Sequence, residues 1–416
     1  MIMEKVNTVV VGAGQAGLSM SEHLSNANIS HVVLEKGRIA ESWRSARWDS
    51  LRANGPAWHD RLPSMRIPDI EQDVFTPKEK LVDYLSSFAE NTKAPVRTDV
   101  TVLSVRKLPK KQGFLVSTTA GDFEAINVIA ATGPFQVPVT PRVVPETADV
   151  VQMHSVAYKN PDQLPDGAVL VVGAGASGGQ IAEELVDTGR KVYLSLGRHI
   201  RPPRFYRDRE GAYWTGVLGR WDTVNRDKNV QNIALAISGV HTKMPIDYRL
   251  LASKGAVLVG RTEGYSDGRL IFAGDLAKNI EEGNKSYLNT LDVIDQYIEY
   301  NGLDLPEYPD ARNLLPPTEY EKNAILELDL AEAGITSIIW AAGFKRDYSW
   351  LELDIFDEDG NPVHELGVSK EPGIYFLGLP FQSRRRSSFL FGVWYDAKYI
   401  SDYIAMMQMY HDKYNT

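Results

Sequence analysis

Cysteine is absent from this 416-residue chain. Its own side chains can therefore form no disulfide, thiolate metal site, iron–sulfur ligand set, cysteine nucleophile or paired-thiol redox relay. Long apolar stretches are missing as well: no hydrophobic run reaches the ~18–20 residues that a bilayer crossing needs. Met1-Ile2-Met3-Glu4-Lys5 passes straight into a short β-type run with no signal-peptide apolar core, so a cytoplasmic protein is expected. Positive charge is not in excess. With 45 Lys plus Arg against 54 Asp plus Glu, the net charge of −9 argues against a broad footprint for nucleic acid or anionic lipid. The eight histidines show no metal-ligand spacing and no Ser-His-Asp order, so no metal and no hydrolytic triad is expected. The remainder, 43% hydrophobic and 24% charged, is the composition of a globular chain of two or three domains.

What is present is one pattern used twice. Thr8-Val9-Val10-Val11 leads into Gly12-Ala13-Gly14-Gln15-Ala16-Gly17, a helix pattern to about Asn26, and then His31-Val32-Val33-Leu34-Glu35. Ala168-Val169-Leu170-Val171-Val172 leads into Gly173-Ala174-Gly175-Ala176-Ser177-Gly178, a helix pattern to about Thr188, and then Lys191 to Leu196. Each reads as strand, turn, helix, strand, the opening of a βαβ unit. A lone Gly-x-Gly-x-x-Gly carries little weight, but each copy here follows a strand and opens a helix, which is the context the motif requires. The first glycine allows the tight turn and the second lets backbone approach a pyrophosphate. The third lets the helix lie close to the strand, so that its free N–H groups face the phosphates. An α/β protein with two Rossmann-like dinucleotide-binding domains is expected.

The ends of the second strands differ, and the difference assigns ligands. Glu35, with Lys36 beside it, stands at the spacing where a carboxylate accepts hydrogen bonds from an adenosine ribose and repels a 2′-phosphate, so the first site takes FAD or NAD. The second copy carries Arg198 instead, with Arg201 and Arg204 close behind. A guanidinium fork matches phosphate oxygens, and this site is expected to prefer NADPH. Between the copies, the strand Ile126 to Ala130 runs into Ala131-Thr132-Gly133-Pro134, and a related run, Ile338 to Phe344, comes late in the chain. Small residues at such strand ends let the connecting chain lie against a cofactor.

Three further segments add detail. Glu41-Ser42-Trp43-Arg44 is followed by Trp48-Asp49-Ser50-Leu51-Arg52-Ala53-Asn54-Gly55-Pro56, and the tail runs from Gly378-Leu379-Pro380-Phe381-Gln382 through Ser387 to Gly392 and on to Asp396-Ala397. With the two glycine turns, these resemble the two-dinucleotide-domain flavoproteins and, among them, the class B flavin-dependent monooxygenases, the group of flavin-containing monooxygenases and YUCCA enzymes. The likeness covers nearly the whole chain. It departs from the family pattern in places: both glycines of the Gly-Gly-x-Trp-Arg turn are replaced. The linker fingerprint keeps His154 and Tyr158 but has Ala148 and Val150 where Phe and Gly belong, and the late motif survives as Thr336, Trp340, Ala341, Ala342, Gly343 and Phe344. Tyr158 stands where Baeyer–Villiger relatives carry Trp, which leans toward heteroatom oxygenation.

The resemblance implies a glutathione-reductase-like arrangement. Residues 1–158 begin the FAD-binding domain, 159–320 form the NADPH-binding domain with an insertion near 200–290, and 321–416 return to the FAD domain and a C-terminal helix. It implies an NADPH- and O2-dependent FAD monooxygenase that oxygenates a small N- or S-containing molecule, aromatic ones included, through a flavin C4a-(hydro)peroxide. Two alternatives stand beside it: an NAD(P)H:acceptor flavin oxidoreductase, and a non-catalytic nucleotide-sensing flavoprotein. Asn54 is the candidate catalytic group, because its amide can donate to an oxygen without titrating. The candidate cofactor residues are Gly12, Gly14, Gln15, Ala16, Gly17, Glu35, Lys36, Trp43, Arg44, Thr132 and Gly133 at the first site. At the second they are Gly173, Gly175, Ala176, Ser177, Gly178 and Arg198, with Gln382 near the flavin ring. Of the run Arg384-Arg385-Arg386, at most one or two are expected to serve a cofactor or an acidic substrate. The expected partners are a small-molecule substrate and O2, with no nucleic acid and no membrane; a homodimer is one admissible assembly. The aromatic residues Phe205, Tyr206, Tyr213, Trp214, Trp221, Tyr248, Tyr265 and Tyr287 read more as core than as pocket, and Tyr287–Ile298 and Tyr395 to about Tyr410 read as amphipathic helices.

Overall fold

The structure is a computed structural model and describes residues 3–109, 111–225, 234–239 and 244–414. Two parallel sheets organise it. In the first, the strands Ile374–Phe376, Gly121–Ala130, Glu4–Val11, His31–Leu34 and Val96–Arg97 lie side by side in that order, all parallel. The second repeats the arrangement with Val151–His154, Ile335–Trp340, Ala168–Val172, Val192–Ser195 and Val257–Val259. In both sheets the strand before the glycine turn is central, and its partner after the helix lies next to it. Such strands are covered on both faces, which is why Val9-Val10-Val11 and Val169-Leu170-Val171 are apolar without alternation. The α/β architecture with two dinucleotide-binding units is the one the repeated pattern predicts.

An antiparallel hairpin, Val102–Lys107 with Phe114–Thr118, extends the first sheet from Gly121–Ala130. Strand pairing carries Val151–His154 and Ile335–Trp340 into the second sheet. Sheet membership therefore changes near 151 and 340, wider than the range 159–320 taken from the sequence. Neither strand carries a glycine turn to mark it, and only hydrogen-bond register assigns them.

The insertion builds a small core of its own. Tyr206, Trp214, Tyr287, Leu291, Ile294 and Ile298 pack together, while Tyr248 enters the main core of the second unit. The expected helix Tyr287–Ile298 is the C-terminal half of a longer one, Leu276–Tyr300, whose buried positions (Ile280, Gly283, Asn284, Tyr287, Leu291, Ile294, Ile298) recur every three or four residues. The last helix is Val393–Tyr414. Among the described residues no helix is long and apolar enough to cross a membrane.

Candidate dinucleotide sites and the cleft between them

The glycines of the first turn divide the work as the motif requires. Gly12 has φ +109°, and a β-carbon on it would stand 2.7 Å from the Ala131 carbonyl oxygen. One on Gly17 would be 1.8 Å from the Gly12 carbonyl, so the helix Gln15–Asn26 lies directly on the turn. A β-carbon on Gly14, by contrast, would meet nothing within 4 Å, and no side chain caps the helix. Its first N–H groups are thus left without a side-chain acceptor, as an FAD pyrophosphate needs. Glu35 is buried behind this turn, its carboxylate accepting from the Ala13 N–H at 2.8 Å and the Gly37 N–H at 2.9 Å. A carboxylate so held keeps lone pairs for a ribose hydroxyl. Lys36 is exposed beside it. Thr132 and Gly133 follow the strand that borders Gly12, and both accept from the Gln136 side-chain amide at 2.8 Å.

The second turn repeats the backbone and alters the surroundings. Gly173 has φ +136°, and a β-carbon on Gly178 would stand 2.0 Å from the Gly173 carbonyl. The helix Ala176–Asp187 starts without a side-chain cap, placing Ala176 and Ser177 in its first turn. Gly175 is not open, however: a β-carbon there would lie 3.4 Å from the Ala234 methyl. Ala234–Leu235 pairs with His199–Ile200, and Gln180 on the cradle helix donates to the Ile237 carbonyl at 2.8 Å. The backbone of this turn otherwise repeats that of the first. At the position matching Glu35 stands buried Leu196, which leaves ribose recognition to the residues beyond it.

Of the three arginines after this strand, only Arg198 remains on the surface, 3.4 Å from Glu282. Arg201 and Arg204, close behind it in sequence, are buried and engaged elsewhere. Arg201 donates to Asp247 at 2.5 Å and Asn284 at 2.7 Å over the ring of Tyr287. Arg204 turns to the other domain and donates to the Asn54 carbonyl at 2.7 Å, its guanidinium pulled down to about 10 by burial.

Asn54 lies on the strand Arg52–Pro56, where the first unit meets Gln180 and Arg204 of the second. Its backbone is held by Arg204 and its side-chain oxygen accepts from Gln180 at 3.2 Å. This orientation leaves the Asn54 NH2 group with no partner among the described residues. Gln180 is a residue the sequence reading missed; its only signal is a buried amide two positions past the third glycine. Trp43 packs against core residues of both units. Arg44 is occupied structurally, donating to the Ile39 carbonyl and Ser86 hydroxyl at 3.0 Å each. Its neighbour Arg47, also missed, stacks on Trp43 and Phe135.

The tail closes over the first cradle, and Gln15 donates to the Ser388 carbonyl at 3.1 Å. Gln382 is buried in its own turn, its NH2 donating to the Leu366 carbonyl and its oxygen accepting from the Leu379 N–H, at 3.4 Å each. In the arginine run, Arg384 and Arg386 flank Asp222 at 3.5 and 3.1 Å, and Arg385 lies over Trp221. Trp221 stacks on His59 and contacts Phe389 and Phe391, so the insertion is bound to the tail above the cleft. His154 ties Gly343 to its strand at 3.0 Å, a structural role.

Comparisons with known proteins agree with this geometry. The family described as pyridine nucleotide-disulphide oxidoreductase matches residues 9–204. An oxidoreductase named CzcO-like from Geobacillus kaustophilus is 32% identical over 95% of this chain and 97% of its own length. The probable indole-3-pyruvate monooxygenase YUCCA3 of Arabidopsis thaliana is 25% identical over 95% of this chain and 86% of its own. Among solved structures, a flavin-containing monooxygenase from Stenotrophomonas maltophilia superposes with TM-score 0.68 at 19% identity, covering 97% of this chain and 99% of that one.

Proposed function

Since the chain belongs to one family with the CzcO-like oxidoreductases, we propose that it is a class B flavin-dependent monooxygenase with FAD and NADP as cofactors, an NADPH- and O2-dependent oxygenase of a small N- or S-containing molecule. FAD, when bound, supplies hydride acceptance and O2 activation; the chain supplies binding, orientation and exclusion of water. The first cradle, Gly12 to Gly17 with Glu35, would hold FAD, and the second, Gly173 to Gly178 with Arg198, would hold NADPH.

The supporting observation is Asn54. It sits where the two units meet, is oriented by Gln180 from the second cradle helix and by Arg204, and keeps its NH2 group free to donate to an oxygen in the cleft. Trp221 packs on Phe389 and Phe391, joining the insertion to the tail. The absence of cysteine excludes a disulfide relay as the electron acceptor.

The test is to reduce the FAD-loaded protein with NADPH without air and then admit O2 with amines, sulfides, indoles and ketones in turn. An oxygenated product formed in proportion to NADPH supports the proposal. Quantitative H2O2 with every compound overturns it. Replacing Arg198 with alanine is expected to weaken NADPH about tenfold and leave NADH unchanged, since a charge-assisted phosphate contact is lost. Steady-state KM values for both coenzymes measure this.

A further inference from the structure

Past the outer strand of the second cradle, Gly197-Arg198-His199 turns back against the long helix Leu276–Tyr300. The two line an open depression of about 280 Å³, with Arg198, His199 and Ile200 on the turn and Glu282, Lys285 and Ser286 on the helix. Buried contacts fix the helix there. Asn279 donates to the Leu196 carbonyl at 3.0 Å. Gly283 leaves room for the His199 ring, since a β-carbon on it would stand 2.5 Å from His199 Nε2. Ser286 accepts the Arg201 N–H at 3.1 Å. Burial lowers the pKa of His199, so its imidazole is neutral at pH 7.

Two cations, Arg198 and Lys285, line it, each beside a carboxylate. Arg198 is 3.4 Å from Glu282, and Lys285 is 3.7 Å from Glu281. All four are at least partly solvated, so these pairs are weak and exchangeable. A phosphate monoester brings about two negative charges and several acceptor oxygens, and competes well for both cations. A plain hydroxyl cannot compete in this way.

We propose that this depression is the pocket for the adenosine 2′-phosphate and that the long helix, not the turn alone, sets coenzyme choice. Lys285 is the second phosphate cation. Glu282 is a built-in competitor that holds Arg198 in the empty pocket and, on release, repels the phosphate, which keeps the preference for NADPH moderate. The proposal rests on the reading of the second cradle as the NADPH site, and it adds two residues that no glycine-motif spacing reaches.

The experiment titrates the FAD-loaded protein calorimetrically with adenosine 2′,5′-bisphosphate and with AMP, probes that involve no turnover. Lys285→Met is expected to weaken bisphosphate binding about fivefold, and Glu282→Gln to tighten it by a similar factor, with AMP affinity unchanged in both. The effects should shrink as salt is raised. AMP binding also reports that each variant is folded. If Arg198→Ala loses bisphosphate affinity while Lys285→Met retains it, or if Glu282→Gln weakens it, the helix has no such role although the cradle reading stands. If the parent protein itself binds both probes equally and Arg198→Ala changes neither, the reading of the second cradle fails.

Discussion

Glu35→Ala is expected to purify nearly colourless, with FAD affinity reduced by two orders of magnitude or more. The carboxylate does two jobs at once. It accepts from the Ala13 and Gly37 N–H groups at 2.8 and 2.9 Å, and so holds the glycine turn against the end of the second strand. It also offers its remaining lone pairs to the ribose. Alanine leaves both N–H groups without their acceptor, at roughly 1–3 kcal/mol for each that stays buried, and removes the ribose contact as well. About 2.7 kcal/mol already corresponds to a hundredfold change in affinity. Glu35→Gln keeps one acceptor oxygen but turns an NH2 toward one of the backbone donors, so an intermediate loss is expected. The ratio of flavin absorbance to protein absorbance, followed by titration with FAD, measures both. A fully yellow alanine variant would show that the carboxylate contributes little.

The second large effect concerns stability. Arg249 and Glu321 form a buried pair with side-chain exposures of 7% and 4%, closed by contacts of 2.7 and 2.9 Å, and Arg249 also donates to the Leu315 carbonyl. Glu321 serves additionally as the third residue of a capping box with Thr318. Removing one partner strands a buried charge, and Glu321→Ala is expected to cost about 3–5 kcal/mol in unfolding free energy. The pH dependence has a definite sign. Burial raises the Glu321 pKa, but hydrogen bonds from Arg249 and the Thr318 backbone, with the Arg249 charge, more than offset it and leave the group below the usual carboxylate range. A depressed folded pKa contributes stability above the unfolded value, and that contribution is lost as pH falls through the folded one. The gap between parent and variant should therefore be full at pH 7 and narrow below about pH 4. Denaturant titrations at the two pH values measure it, and a constant gap would mean that packing rather than charge carries the effect.

The parts of the site that were legible in sequence share a feature: their function is local. Gly12 and Gly17 are constrained by atoms within a few residues or by the strand alongside, so spacing reveals them. Arg201 and Arg204 looked equally eligible from spacing, yet their partners lie far along the chain at Asn284 and Asn54. A long side chain near a motif can point toward the ligand or into the core, and periodicity does not distinguish the two. Gln180 and Lys285 show the converse. Each reaches a site from a helix whose docking angle no pattern encodes.

By itself, then, the sequence determined the two strand–turn–helix units, the acidic and basic ends that make them unequal, and the exclusion of thiol chemistry. These follow from steric and chemical properties of single residues and short spacings. The tertiary structure alone decided which strands complete each sheet, which arginine stays at the surface, and that Asn54 is oriented from the opposite unit. The reason is physical: register and burial depend on contacts between segments far apart in the chain, from 46 residues for Arg201 with Asp247 to 150 for Arg204 with Asn54, and those contacts exist only after both cores have closed.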